Sequence, residues 1–221
     1  MSKERMQKLA IIERLTGIGV IPVVRAASAA QALSAIAAIE AGGLPLLEIT
    51  MTVPGALSVI EAATKQYGDR VLVGAGTVLD ADTARDCVSA GARFIVSPAL
   101  NVRTIEWCRA ADVPVMPGAL TPTEVLTAWQ AGADFVKVFP CDSAGGASHV
   151  KALKGPFPDI PLIPTGGVTL TTVADYIRAG AAAVGVGSNL VDTRAIAAGE
   201  AGRVTEAARQ YVDAVRQARS G

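Results

Sequence analysis

Eight short apolar runs recur along the chain at intervals of about 25 residues, near 19–24, 45–50, 71–75, 93–97, 113–116, 134–139, 160–164 and 183–187. Between them lie stretches with helical spacing of apolar residues, at about 28–41, 54–67, 80–90, 101–111, 121–131, 147–154 and 169–179, and a last one near 203–218. Strands that alternate with helices are the pattern of a parallel sheet, because each strand needs a long crossover to reach its parallel neighbour. The punctuation agrees. Glu40-Ala-Gly-Gly43, Ser89-Ala-Gly-Ala92, Gln130-Ala-Gly-Ala133 and Arg178-Ala-Gly-Ala181 each close a helix just before a strand, where glycine supplies the left-handed residue that ends a helix cheaply. Thr121-Pro122-Thr123-Glu124 opens a helix with a capping threonine, a proline at the first helical position and a glutamate at the third. A further helix is expected over 2–16, with Met6, Leu9, Ile12 and Leu15 on its apolar face and Ser2 as its cap.

Eight such units without a linker or composition shift point to one domain over residues 1–221, an α/β (β/α)8 TIM barrel with an extra N-terminal helix. The rival, a doubly wound sheet, lacks its dinucleotide fingerprint. Gly74-Ala-Gly76 is followed by Leu79, and Gly185-Val-Gly187 by Leu190, where a third glycine belongs. The 51% of apolar residues are mostly alanine, valine, isoleucine and leucine, which suits helices packed on parallel strands. Zero formal net charge recommends neither nucleic acid nor an anionic membrane as partner. No apolar run approaches the roughly 20 residues of a membrane span. Met1-Ser-Lys-Glu-Arg5 mixes acids with bases and is not followed by a signal-like core, so a cytoplasmic location is expected. Three cysteines without CxxC spacing indicate neither a disulfide framework nor a zinc site, and a single histidine argues against a His-rich metal site. No cofactor is called for.

In such a barrel the site lies at the carboxyl ends of the strands. Asp134-Phe-Val-Lys137-Val-Phe139-Pro140 has the composition of a buried strand with an ammonium in its middle, whereas Lys3, Lys8, Lys65, Lys151 and Lys154 fall in segments that read as helix or loop surface. A strand lysine can snorkel to the rim. Alternatively, taking an amine out of water favours its neutral, nucleophilic form. Glu48 follows Pro45-Leu-Leu47 and reads either as a general acid/base or as half of a structural salt bridge to Lys137 or Arg25. Gly166-Gly167 before a helix start near Thr169, and Gly187-Ser188 after the last strand, can present backbone N–H groups to one anion, although Gly-Gly alone also makes a tight turn. His149 reads as a surface residue, Cys87 and Cys108 as small hydrophobes in helices, Trp107 and Trp129 as packing residues, and Cys141 as a residue at the mouth of the site.

These parts allow Schiff-base chemistry. A lysine amine attacks a ketone, the protonated imine serves as an electron sink, and a carboxylate shuttles protons. At this point the chain resembles the 2-keto-3-deoxy-6-phosphogluconate (KDPG) aldolase family, which includes 4-hydroxy-2-oxoglutarate (KHG) aldolases. The resemblance runs from about residue 18 to residue 192 and rests on Leu47-Glu-Ile-Thr50, Val73-Gly-Ala-Gly-Thr-Val78, Ile95-Val-Ser-Pro98, Met116-Pro-Gly118, Val136-Lys-Val-Phe-Pro140, Lys154-Gly-Pro-Phe157, Pro164-Thr-Gly-Gly-Val168 and Gly185-Val-Gly-Ser188. It implies a class I aldolase, assembling as a homotrimer, that splits a phosphorylated keto-deoxy sugar acid into pyruvate and glyceraldehyde 3-phosphate. By that resemblance Lys137 forms the Schiff base and Glu48 moves protons. Thr77 meets the pyruvate carboxylate, Phe139 and Pro98 wall the pyruvyl pocket, and Thr165 faces the aldehyde. Gly166, Gly167, Gly187 and Ser188 hold the phosphate. Where many members carry a carboxylate-binding arginine this chain has Thr52, and Arg25 is expected to supply the lost charge. Cys141 stands where alanine is usual. Three alternatives stay open: a galactonate-type or hydroxyoxoglutarate aldolase, a phosphate-binding barrel isomerase or synthase without Schiff-base chemistry, and a non-catalytic barrel.

Overall fold

The computed structural model describes residues 3–220 and resolves the alternation into nine strand segments and ten α-helices among them. Strands β1 (Val20–Val24), β2 (Leu46–Thr50), β3 (Leu72–Gly76), β4 (Ile95–Val96) and β5 (Val115–Met116) pair in parallel, in the order β5-β4-β3-β2-β1-β9, with β9 (Val184–Val186) on the far side of β1. Segments β6 (Gly118–Ala119), β7 (Val136–Val138) and β8 (Leu162–Pro164) form a second parallel set. The fifth strand of the sequence reading, 113–116, is β5, and β6 follows it beyond the expected end. Pro117, between them, has no N–H to give the ladder. Its carbonyl still accepts the Lys137 N–H at 2.9 Å. The two sets join at both seams: Asp134 N–H donates to Val115 O at 3.2 Å, Ala182 N–H donates to Leu162 O at 2.9 Å, and Thr165 bridges Gly185. The ring is closed, as a (β/α)8 barrel requires.

The helices are α1 (Lys3–Ile18), α2 (Ala29–Ala41), α3 (Ala56–Tyr67), α4 (Ala81–Ser89), α5 (Val102–Ala110), α6 (Pro122–Ala131), α7 (Ala147–Lys154), α8 (Val173–Arg178), α9 (Thr193–Ala197) and α10 (Gly202–Ser220). The expected punctuation is present. Gly43, Gly91, Gly132 and Gly180 all take positive φ, and Thr121 and Glu124 form a capping box with Pro122 at the start of α6. Two differences lie in the last units. Helix α8 starts at Val173, not near Thr169, because Thr169–Thr172 closes its own turn, with Thr172 Oγ1 accepting the Thr169 N–H at 2.9 Å. Helix α9 is short and capped by Asp192, and the sequence reading had no helix there. Among the described residues no helix is long and apolar enough to cross a membrane.

Helix α1 corrects the sequence reading most. Met6 and Leu9, expected on its buried face, are exposed, and the buried positions are Lys8, Ile11 and Leu15. The expected cap Ser2 lies outside the described residues. Ile11 and Leu15 pack with Ile21, Leu46, Leu72, Phe94, Met116, Phe135 and Ile163. This helix therefore packs on strand side chains of the barrel interior rather than joining the outer helix layer. Lys8, read as surface, is 4% exposed and its Nζ lies 2.9 Å from Asp134 Oδ1. The other carboxylate oxygen of Asp134 accepts the Val115 N–H at 3.0 Å. The pair ties α1 to the seam between β5 and β7.

Removing one partner of a buried ion pair strands the other charge. Lys8→Ala is expected to lower unfolding stability in urea by about 3 kcal/mol. Arg216→Ala, which deletes an exposed pair with Asp213, is expected to change it by no more than about 0.5 kcal/mol. Equal effects from the two would contradict the role given to Lys8.

Candidate active site

Side chains in a strand alternate between faces, so the residue two places beyond an inward one points inward too, one layer further along the barrel. Leu46, Leu72, Phe135, Ile163 and Ala183 belong to the inner cluster. Two residues on from them stand Glu48, Gly74, Lys137, Thr165 and Gly185, nearer the carboxyl ends of the strands. In this layer buried polar side chains, Glu48, Lys137 and Thr165, take the place of the apolar ones before it.

Lys137 Nζ lies 3.7 Å from Glu48 Oε1, and each side chain is 3% exposed. Of the two readings of Glu48, the ion pair is present, with Lys137 as its partner. At 3.7 Å the two attract as charges without a hydrogen bond of normal length, and Glu48 Oε1 has no hydrogen-bond partner among the described residues. A buried polar oxygen without a donor is uncommon and costly. It leaves a free acceptor beside an amine. Gly76 explains how the carboxyl fits, since a Cβ at that position would run into Glu48 Oε1. Gly185 does the same for Thr165, whose hydroxyl occupies the space a Cβ would take, and Gly74 makes room for the Phe94 ring. These glycines in strand interiors mark close approach of neighbouring side chains.

Next to the pair opens a cavity of about 390 Å³, lined among others by Arg25, Phe139, Thr165, Gly166, Gly167, Gly187 and Ser188. Seven of the residues singled out from the sequence thus share one space. Phe139 links it to the pair, its ring centre 5.3 Å from Lys137 Nζ. Thr77 and Pro98 do not line this cavity; they follow β3 and β4, and Thr77 holds φ 59°. A β-branched residue with positive φ is strained by about 1–3 kcal/mol, a cost that concentrates at functional sites. Arg25 leaves the end of β1 exposed to solvent. Thr52, where an arginine was looked for, shares a 2.7 Å hydroxyl contact with Thr50, whose hydroxyl donates to Val24 O at 3.1 Å. Asn189 and Thr193 also line the cavity, and nothing in their spacing marked them beforehand.

The cysteines, the histidine and the tryptophans agree with the sequence reading only in part. Cys141 does not line the cavity. It is fully buried, with its thiol 3.6 Å from Gly146 O. Burial pushes its pKa up to about 11, with the Tyr176 hydroxyl opposing and Asp142 adding to the shift. Cys87 and Cys108 are buried core residues, as expected, and burial raises them to about 11 and about 12. His149 is half-buried rather than loose on the surface; it lies in α7 and its Nε2 donates to Leu120 O at 2.8 Å. Trp107 packs against the core, with Arg85 over its ring at 5.9 Å, but Trp129 is exposed.

Comparison with known proteins supplies the context for this geometry. Residues 11–207 match the family model described as KDPG and KHG aldolase. A Treponema pallidum protein named 2-dehydro-3-deoxy-phosphogluconate aldolase is 35% identical over 207 residues, covering 94% of this chain and 98% of the relative. The 2-dehydro-3-deoxy-6-phosphogalactonate aldolase of Escherichia coli strain K12 is 36% identical over 176 residues, 79% of this chain and 85% of the relative. Among solved structures, KDPG aldolase from Legionella pneumophila, with pyruvate captured at low pH as a covalent carbinolamine intermediate, superimposes with a TM-score of 0.81. It is 33% identical and the match covers 86% of this chain and 92% of that one.

Thiols whose pKa lies near 11–12 stay protonated, and hence unreactive, at pH 8. Titration of the folded protein with Ellman's reagent at pH 8 is expected to find no fast-reacting cysteine, and all three only after denaturation. One fast equivalent mapping to Cys141 would contradict its burial.

Proposed function

The chain belongs to the KDPG and KHG aldolase family, and from that premise we propose that it is a class I aldolase that cleaves 2-keto-3-deoxy-6-phosphogluconate to pyruvate and glyceraldehyde 3-phosphate. The same site is proposed to cleave 4-hydroxy-2-oxoglutarate to pyruvate and glyoxylate. The observation that carries the reading is the buried Lys137–Glu48 pair, 3.7 Å apart with one carboxylate oxygen free.

In this mechanism the Lys137 amine adds to the C2 ketone to give a carbinolamine, which loses water to form a protonated imine. The Glu48 carboxylate takes the proton of the C4 hydroxyl. The C3–C4 bond then breaks, its electron pair passing into the iminium to leave an enamine, and the aldehyde departs. Glu48 returns the proton to C3, and water hydrolyses the pyruvate imine and frees the amine. Arg25 and Thr77 are assigned to the pyruvate carboxylate, and Phe139 and Pro98 to the walls of the pyruvyl pocket. Thr165 is assigned to the aldehyde side, and Gly166, Gly167, Gly187 and Ser188 to the phosphate. The phosphate assignment draws support from the cavity that these four share with Thr165 and Arg25. It rests on loop backbone rather than on the N-terminus of α8, which begins only at Val173. The chain is taken as one domain and as a homotrimer in solution.

The galactonate epimer is the competing substrate, because a galactonate-type relative is as similar to this chain as a gluconate-type one. Thr165, between Pro164 and Gly166, decides for the gluconate type in this reading. Pyruvate release from the two phosphorylated epimers is expected to favour the gluconate one at least tenfold in kcat/KM; the reverse preference would overturn that choice. Arg25→Ala is expected to raise KM for pyruvate in the condensation direction more than tenfold, since a charge-assisted hydrogen bond is worth roughly 1.5–3 kcal/mol. An unchanged KM would remove Arg25 from the carboxylate.

A further inference from the structure

Arg25 is exposed at the end of β1, and a long side chain leaving a strand end needs its backbone held if its charge is to be aimed. The structure holds that backbone on both sides. Upstream, the buried Thr50 hydroxyl donates to Val24 O at 3.1 Å. Downstream, Gln31 Oε1 accepts the Ala27 N–H at 2.8 Å. Gln31 is the third residue of α2, and its own N–H donates to the Ser28 cap at 3.2 Å. So far this is a variant of the capping box, in which a glutamate serves as well as a glutamine.

The amide nitrogen of Gln31 does something a capping residue does not need to do. Nε2 donates to Thr193 O at 2.7 Å, 162 positions away in sequence. Thr193 opens α9 and, like Arg25, Ser188 and Asn189, lines the 390 Å³ cavity. One side chain that does not line the cavity therefore spans two of its walls, the loop after β1 and the segment after β9. We propose that Gln31 is a positioning residue, which sets the separation between Arg25 and the Ser188–Thr193 wall so that a substrate carrying an anion at each end bridges them. The proposal rests on the aldolase reading, in which Arg25 takes the carboxylate and Ser188 helps take the phosphate.

Gln31→Glu separates the two roles. It keeps an acceptor for the Ala27 N–H, but it loses the donor to Thr193 O and sets a carboxylate against that carbonyl. Gln31→Met, of similar length, loses both. The readouts are the thermal midpoint, kcat and KM for cleavage of the phosphorylated aldol acid, and exchange of the pyruvate methyl protons with deuterium oxide, which needs the amine and the proton shuttle but no second anion. For Gln31→Glu the midpoint is expected to fall by only a few °C, and by less than in Gln31→Met, because the cap persists. KM for the phosphorylated acid is expected to rise about five- to tenfold with kcat within about twofold. Gln31→Met is expected to show the same rise in KM together with a lower midpoint. Wild-type KM in Gln31→Glu, or a lower midpoint with unchanged KM in Gln31→Met, would reduce Gln31 to a helix cap while methyl exchange left the aldolase reading standing. Absence of both exchange and cleavage in the wild-type protein would remove that reading and this proposal together.

Discussion

Two opposite charges held 3.7 Å apart inside a barrel, with one carboxylate oxygen lacking a hydrogen-bond partner, are the constraint to which the rest of this structure answers. Desolvating an ammonium and a carboxylate costs several kcal/mol for each ion, and their attraction repays this in full only when hydrogen bonds satisfy both. Here they do not. The arrangement therefore contributes little to folding, and the surrounding fold must hold it in place. Glycine at position 76 leaves the volume that the Glu48 carboxyl fills, and glycine at 185 does so for the Thr165 hydroxyl. The strand registers fix the relative heights: Glu48 pairs with Val23 on one side and Gly74 on the other, and Lys137 lies between Gly118 and Ile163.

The amino-terminal end of the barrel shows what a structural ion pair looks like in this fold. Lys8 and Asp134 meet at 2.9 Å, and the second carboxylate oxygen of Asp134 takes a backbone N–H. Two buried lysines in one chain thus have different surroundings. One is closely paired and anchors α1 beneath the barrel. The other faces a carboxylate at a distance longer than a normal hydrogen bond, beside a ring that borders an open cavity. The contrast, rather than burial alone, supports assigning chemistry to Lys137.

Most of the barrel was legible because its signals are local. A strand composition, a glycine at a helix end or a capping box each depends on a few neighbouring residues, and these held to within a few positions. The sequence also put Lys137, Glu48 and the cavity residues on strand ends, since a parallel barrel brings all carboxyl ends to one face. What it could not show was which side of α1 faces inward. Helical periodicity assumes that apolar residues mark the buried face, whereas α1 buries Lys8 because Asp134, far away in sequence, meets it there. Gly76 and Gly185 carried a readable sign of close approach, a glycine within a strand, but their partners are set by register. Gln31 and Thr193 carried none, since their contact joins the first βα loop to the last.

The central claim is that the Lys137 amine is the nucleophile. Its most direct test is reduction of the protein with borohydride in the presence of pyruvate, followed by intact mass and peptide mapping. The account predicts one pyruvate-derived adduct per chain, on the peptide that carries Lys137, and no adduct in Lys137→Arg. An adduct on another lysine, or no adduct at saturating pyruvate in folded protein, would contradict it.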